Sequence, residues 1–319
     1  RITRWAAMAI KAKIYLFEGN WTQVKNITST IMTEGGFKLF GSYAGLFEIA
    51  NEYNSEVILD AQYRPTSREH QMMYVFLPPT LGGYSQLSPL QELVDSYIML
   101  DGKTIKETGT SFDESHPYAN RDPRLKATVM YTGNSYTLAD GTEVVINCEK
   151  GEGKDGYGVG SDCSATGYYI KKYWDNTYRA TLYSGLNPIL IRYADILLMN
   201  AEALAELGEL DKTAWDATIK PIRDRAGFTL ASALEFPEGA SKDKLIEIVR
   251  NERRSELALE GHRHKDIIRW RIADNVLNGW CHGLKTNDVV GTDDGYVRVE
   301  NRTFNANKHY LWPIPQAER

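Results

Sequence analysis

Three glutamates spaced four residues apart bring carboxylates to one face of a predicted helix: Glu252, Glu256 and Glu260. Paired carboxylates perform general acid and base catalysis in glycoside hydrolases, but the acid must stay protonated near neutral pH. Guanidinium groups lower the pKa of neighbouring carboxyls, and the same stretch is rich in arginine. These arginines are Arg250, Arg253, Arg254, Arg263 and Arg269. The pattern therefore predicts structural ion pairs and not an acid/base pair.

Other patterns that could bind a cofactor or a metal fail on their context. The stretch 151–156 matches G-x-G-x-x-G, but the glycines continue to Gly160 and no helix opens there to hold a phosphate. His262 and His264 stand two residues apart, so on a helix they point away from each other. The sequence contains no G-x-S-x-G and no His-Glu-x-x-His. We therefore expect no catalytic site, no cofactor and no metal site.

Tyrosine is the unusual residue of this chain, with 19 Tyr and 7 Trp against 9 Phe. An aromatic ring can stack on the apolar face of a sugar while nearby polar groups bind its hydroxyls. Rings that flank glycine and proline breaks are favoured as exposed contacts, because loops carry function more often than regular elements do. The first candidates are Tyr63, Arg64, Tyr74, Tyr84 and Gln86, and the second are Trp174 and Tyr178.

Two predicted pairs of helices, 1–36 and 188–276, must position these residues. Both contain the pattern Ala-x2-(Tyr/Leu)-x3-Gly, which aligns Ala12 with Ala201 and Gly19 with Gly208. Small residues let two helices approach closely, and glycine ends a helix in the left-handed conformation. The spacing is typical of tetratricopeptide-type helical hairpins.

Loops with a few short strands are predicted for the rest of the chain. Residues 50–185 combine glycine and proline punctuation with short β-favouring runs, and 279–319 is predicted as a C-terminal loop segment. Loops this long in a helical frame are usually functional. The predicted fold class is therefore mainly α, with helical hairpins packed against a loop-rich subdomain.

Charge and composition limit the function classes. The 319 residues carry 37 Lys and Arg against 42 Asp and Glu, a net charge of −5, and no basic run stands apart from acids. Nucleic acid is therefore excluded as a partner. The most apolar stretch, 188–207, contains charged residues that a bilayer core would penalise, so a buried helix is predicted there.

Three cysteines permit at most one disulfide bridge, between Cys148 and Cys163, with Cys281 left over. The first residues already lie within an apolar-periodic segment and show no targeting signal. We therefore expect the chain to be a fragment of a longer protein, with any targeting segment upstream.

An ordered series of motifs resembles a known family. The strongest are PILIRYADILL (188–198), IRDRAG (222–227) and NERRSELALEGHR (251–263). Weaker matches occur in order at 5–9, 15–21, 46–47, 54–58, 89–97, 101–103, 121–125, 201–203, 266–270 and 310–316. Together they resemble the SusD-like (RagB/SusD) outer-membrane glycan-binding lipoproteins.

The resemblance implies one domain over 1–319, in which tetratricopeptide-like helices pack against a loop-rich glycan-binding subdomain. Such a protein is anchored at the cell surface by an N-terminal lipid that lies outside this chain. It caps a SusC-like TonB-dependent transporter and binds glycan without cleaving it. The missing N-terminal part normally supplies some of the sugar contacts. Five residues resemble the buried ion pairs of the family: Arg192, Glu252, Arg253, Glu256 and Arg269.

Two other functions stay open from the residues alone. A helical glycoside hydrolase would release reducing ends from a polysaccharide. A repeat scaffold would instead bind a protein or peptide partner.

Overall fold

Helices dominate the protein, whose computed structural model describes residues 2–177, 182–312 and 318. The helices are α1 (Arg4–Glu18), α2 (Trp21–Glu34), α3 (Met72–Phe76), α4 (Gln91–Val94), α5 (Pro123–Thr128), α6 (Tyr193–Leu207), α7 (Lys212–Ala217), α8 (Ile219–Ala226), α9 (Ala231–Leu234), α10 (Lys242–Glu256), α11 (Arg263–Arg269) and α12 (Ala273–Val276). The strands are β1 (Val57–Asp60), β2 (Val129–Met130), β3 (Ser135–Thr137), β4 (Glu143–Val145), β5 (Tyr169–Ile170), β6 (Ile189–Arg192), β7 (Gly279–Lys285), β8 (Thr292–Asp293) and β9 (Tyr296–Arg302). The predicted fold class, helical hairpins with a few short strands, is confirmed. Within the described ranges, no helix has the length and apolar composition needed to cross a bilayer.

The two glycines aligned in the sequence end their helices in the same way. Gly19 closes α1 at φ 72°, and Gly208 closes α6 at φ 73°. In each case the next residue donates its N–H back into the last turn, Asn20 to Tyr15 O at 2.9 Å and Glu209 to Leu204 O at 2.8 Å. This left-handed cap turns the chain sharply into the next helix.

Helix α6 forms the centre of the helical frame. It packs against α1 and α2 on one side and against α10 on another. Ala12 on α1 and Ala201 on α6 are fully buried, as their small size predicted. A larger side chain at either position would overpack the contact between helices.

The region between the hairpins holds its own hydrophobic core, built around tyrosines. Strand β1 pairs with β6 antiparallel and so ties this region to the start of α6. The pairs β2–β5 and β3–β4 are short antiparallel ladders. All three cysteines are free, so Cys148 and Cys163 form no bridge, and Cys148 packs in this core.

The C-terminal segment differs from the predicted loop. Residues 279–302 contain a three-stranded antiparallel sheet in the order β7-β9-β8, and β7 packs on α4. Gly283 lies within β7, where glycine is required because a Cβ would come 2.6 Å from the carbonyl oxygen of Thr166. Glycine is a poor strand former in isolation. Local propensity therefore did not indicate a strand at this position.

Candidate functional site

The structure brings Tyr74 and Tyr84 together as a pair of rings. Their centroids lie 4.3 Å apart with an interplanar angle of 31°. The backbone N–H of Tyr84 donates to Tyr74 O at 2.9 Å, and hydrogen bonding with Tyr84 raises the pKa of Tyr74. Tyr84 is 40% exposed, and Gln86 beside it is also exposed. This Tyr74–Tyr84 pair presents an aromatic surface with amide and hydroxyl groups at its edge.

A close backbone approach positions the pair. Tyr74 lies on α3, and the chain returns to it after a short 3-10 turn at Pro79–Leu81. A Cβ at Gly83 would lie 2.1 Å from the carbonyl oxygen of Leu77, so only glycine fits there. The predicted glycine break therefore places Tyr84 next to Tyr74.

Tyr63 and Arg64 form a separate cluster. The ring of Tyr63 meets the edge of His70 at 4.7 Å and 88°, and Arg68 lies over it at 5.4 Å. Arg64 is exposed and pairs through its backbone with Arg68. The face of Tyr63 is thus partly occupied by side chains of its own loop.

Trp174 is wrong as an exposed glycan contact. It is only 8% exposed, and its indole N–H donates to Thr137 O at 2.8 Å. Its ring packs edge-on against Tyr136 in the core of the loop region. Tyr178 lies outside the described residues.

A cleft of about 930 Å³, here called the tyrosine cleft, was not singled out by the sequence. Tyr118 and Tyr131 stack in its wall with centroids 4.0 Å apart and planes 17° apart. The hydroxyl of Tyr118 lies 3.2 Å from that of Tyr168, which donates to Gln91 at 2.5 Å. Tyrosine abundance was the available signal, but the two stacked rings are thirteen positions apart and only the fold unites them.

Charged side chains line the tyrosine cleft, and one of them, Arg121, is buried. Lys285 pairs with Glu114 at 3.0 Å, and Lys150 pairs with Asp288 at 2.5 Å. Arg121 donates to the backbone carbonyls of three residues, Val94, Tyr97 and Pro117. The cleft therefore offers ring faces together with donors and acceptors that can bind hydroxyl groups.

Two buried ion-pair networks occupy the interior beneath these surfaces. In the first, Arg192 reaches Glu56 at 2.7 Å, Glu256 at 2.6 Å and Glu260 at 2.8 Å. Lys172 pairs with Glu260 at 2.6 Å.

Arg124 extends this first network from the loop region. It contacts Asp122 at 2.7 Å, Glu252 at 2.6 Å and Glu256 at 2.9 Å. Arg223 contacts Glu252 at 2.7 Å.

The second network lies between α6, α10 and α11. Arg253 contacts Asp195 at 2.6 Å and Asp266 at 2.9 Å. Arg269 contacts Glu202 at 2.6 Å and Asp266 at 2.9 Å. The structure thus places all five predicted ion-pair residues in buried pairs.

The arginines keep these carboxylates ionised. Burial alone would raise the pKa of Glu256, but Arg225, Arg192 and Arg124 hold it well below its usual range. Burial alone would also raise the pKa of Glu260, but Arg192 and Lys172 lower it to about 2. A carboxylate this acidic cannot act as a general acid near neutral pH. In the described part of the chain, no group of three or more His, Cys, Asp or Glu is arranged to hold a metal ion.

The fold is that of solved proteins from Bacteroides fragilis. A SusD-like carbohydrate binding protein from Bacteroides fragilis superposes with a TM-score of 0.86 at 30% identity, covering 100% of this chain and 64% of that one. A second SusD-like protein of the same species superposes with a TM-score of 0.80 at 28% identity, covering 100% and 63%.

Sequence relatives give the same assignment. SusD-like protein P25 of Formosa agariphila is 28% identical over 87% of this chain and 51% of its own length. The chain spans about half the length of the curated relatives it matches. Residues 45–319 match the pattern that defines the SusD family. The chain therefore belongs to the SusD family.

Proposed function

We propose that this protein captures oligo- or polysaccharides at the cell surface and passes them, uncleaved, to a TonB-dependent transporter. In this proposal the complete protein is held in the outer membrane by an N-terminal lipid, with its binding surface facing outward.

The Tyr74–Tyr84 pair, in which Tyr84 is exposed and Tyr74 half-buried, is the observation that carries the proposal. Aromatic rings held at a surface by their own loop are preorganised, so stacking a sugar on them costs little ordering entropy. The solved relative with a TM-score of 0.86 is described as carbohydrate binding. The ionised state of Glu256 and Glu260 supports binding without cleavage.

We assign the glycan to the Tyr74–Tyr84 pair and Gln86, and we keep Tyr63, Arg64 and Tyr178 as further proposed contacts. The tyrosine cleft is the rival position, because it is concave and Tyr131 is half-buried in its wall.

Affinity gel electrophoresis with a panel of polysaccharides, followed by calorimetric titration, tests the function and its position. Tyr84→Ala should weaken binding by about 1–3 kcal/mol, the size of an exposed aromatic hot spot. Tyr84→Phe should keep most of the affinity because the ring remains. Phe17→Ala is the matched control, since Phe17 is an exposed aromatic residue on α1, outside the proposed contacts.

The outcomes separate the alternatives. Loss of binding in Tyr131→Ala with normal binding in Tyr84→Ala would move the site to the tyrosine cleft. Release of reducing ends during long incubation would establish a glycoside hydrolase. Silence toward every glycan, together with tight binding of a peptide partner, would favour a scaffold.

The transporter is tested separately. The full-length lipoprotein should retain a TonB-dependent transporter when it is solubilised from outer membranes in mild detergent. Recovery of the protein without any transporter would remove the delivery step from the proposal and leave glycan capture intact.

A further inference from the structure

A second pocket, of about 550 Å³, opens between the segment before α4, the end of α10 and the start of β7. Its walls are largely apolar and include Leu90, Leu257 and Val276. Four arginines line it, so we call it the arginine pocket. Arg253 pairs with Asp195 and Arg302 with Glu300, which leaves Arg254 and Arg263.

Within the described part of the chain, Arg254 and Arg263 have no carboxylate partner, unlike the arginines of the buried networks. Those of the buried networks, such as Arg192 and Arg253, each contact a carboxylate directly. Arg254 donates to the backbone carbonyl of Glu92, and Arg263 lies over the ring of Trp270 at 5.9 Å. Among the described residues, neither guanidinium forms an ion pair with a carboxylate.

Glu92, Asp95 and Asp266 act on this pair through space, and each is engaged elsewhere. The side-chain amide of Gln91 donates to Asp95 at 2.7 Å. Glu92 binds the ring of His282 at 2.8 Å. Asp266 is held by Arg253 and Arg269, each at 2.9 Å. Glu92 and Asp266 also line the pocket, but Arg254 and Arg263 are left without a carboxylate in direct contact among the residues that the structure describes.

The positive charge of these two arginines is held at a cost to the protein. Burial and then the charge of Arg263 lower the pKa of Arg254 to about 10. Burial also lowers the pKa of Arg263. Two like charges in a partly buried pocket repel each other, and an anion placed between them would relieve the repulsion.

An aromatic ring completes the pocket. Trp280, at the start of β7, is 43% exposed and lines the same space. Arg298 lies over this ring at 5.7 Å. The exposed part of the ring offers a stacking surface beside the two guanidinium groups.

We propose that the arginine pocket binds the carboxylate or sulfate group of an acidic glycan, with Trp280 stacked on a sugar ring. The inference rests on the glycan-binding function proposed above and names the class of glycan.

The backbone places this pocket beside the Tyr74–Tyr84 pair. Ser88 lines the arginine pocket and follows Tyr84 by four residues. Four residues span at most about 14 Å between their Cα atoms. One glycan chain lying along 84–90 can therefore contact both the rings and the arginines.

Affinity gels cast with polygalacturonate, dextran sulfate or unmodified dextran, beside a panel of neutral polysaccharides, provide the test with the full chain. The protein should be retarded by at least one acidic polymer. The double variant Arg254→Gln/Arg263→Gln should weaken that binding about tenfold or more, because two charge-assisted bonds are lost. Carboxylated and sulfated gels distinguish the two sources of the anion.

Single variants keep the test independent of folding. Arg263→Gln leaves the backbone hydrogen bond of Arg254 in place, so its melting temperature should stay equal or rise as the repulsion is relieved. It should nevertheless weaken binding of the acidic polymer. Arg4→Gln is the control, because Arg4 is an exposed arginine on α1 outside the pocket.

Each of the following results would overturn the proposal that the arginine pocket binds an acidic glycan. Retardation only by neutral glycans would overturn the acidic class and leave glycan capture standing, as would acidic binding that is unchanged in the double variant. Failure to bind any polysaccharide would overturn both proposals. A marked fall in the melting temperature of Arg263→Gln would show that Arg263 serves the fold, against the inference.

Discussion

At the scale of single residues, the interior is unusual for its balanced charge. The first network joins five cationic and five anionic side chains: Arg124, Arg192, Arg223, Arg225 and Lys172 with Asp122, Glu56, Glu252, Glu256 and Glu260. Each charge has a partner, so the desolvation cost of the group is offset within the network. Removing one member strands the others in a medium of low polarity.

Glu256 is the residue whose loss should cost most, because it contacts Arg124, Arg192 and Arg225. We expect Glu256→Ala to lower the free energy of unfolding by roughly 3–5 kcal/mol. Urea denaturation measures this. Glu247→Ala, an exposed glutamate on the same helix, should change stability by less than about 0.5 kcal/mol. Normal stability with loss of a hydrolytic activity would instead make Glu256 catalytic.

At the scale of elements, α6 is fixed by small side chains that let its neighbours approach. We expect Ala201→Leu to destabilise the protein by about 1–3 kcal/mol, since its position is fully buried between helices. Ala7→Leu is the control, because Ala7 is exposed on α1. An unchanged melting curve for Ala201→Leu would contradict the close packing at this contact.

The C-terminal sheet is fastened to α4 by a histidine held between two carboxylates. His282 contacts Glu92 through Nδ1 at 2.8 Å and Asp293 through Nε2 at 3.0 Å. Burial alone would lower the pKa of His282, but its hydrogen bonds with Asp293 and Glu92 raise it above 6.5. Asp293 also pairs with Arg298. His282 therefore joins β7 both to α4 and to β8.

A group whose pKa is raised on folding stabilises the fold below its unfolded pKa and loses that effect as pH rises through the folded value. We expect the melting temperature to fall as the pH rises above about 6.5, and this slope to flatten in His282→Gln. His264→Gln, an exposed histidine, should keep the slope. A slope unchanged in His282→Gln would show that the contact does not govern the pH dependence.

At the scale of the whole molecule, the first network crosses the boundary between the loop region and the helical frame. Glu56, Arg124 and Lys172 come from the loop region, whereas Arg192 and Glu256 come from the frame. Separating the two regions would expose or strand these charges. The two regions are therefore expected to unfold together.

Native-state hydrogen exchange measures this cooperativity. The amides of β5 and those of α6 should exchange with the same, highest free energy of opening. In Glu256→Ala the free energy for β5 and α6 should fall by similar amounts. Exchange of β5 through a separate, lower-energy opening while α6 stays protected would show that the loop region unfolds on its own.

The sequence by itself determined the helical hairpins and where their first helices end. These features depend on local signals: Gly19 and Gly208 adopt left-handed caps whatever packs around them, and the apolar period is read over a single helix. Arginine and glutamate in close succession indicated ion pairs around Glu256, but its partners Arg124, Arg192 and Arg225 come from other elements, so the tertiary structure decided the pairing. The resemblance to the SusD family rested on sequence motifs in a fixed order, the strongest at 188–198, 222–227 and 251–263.

Only the tertiary structure decided which aromatic rings are available to a ligand. Trp174 and Tyr84 both follow loop signals in the sequence, yet one is buried in the core and the other is exposed. The stack of Tyr118 on Tyr131 depends on contacts between separate segments, as does the strand that contains Gly283. Burial is set by what distant parts of the chain bring to a residue, and no local pattern encodes that.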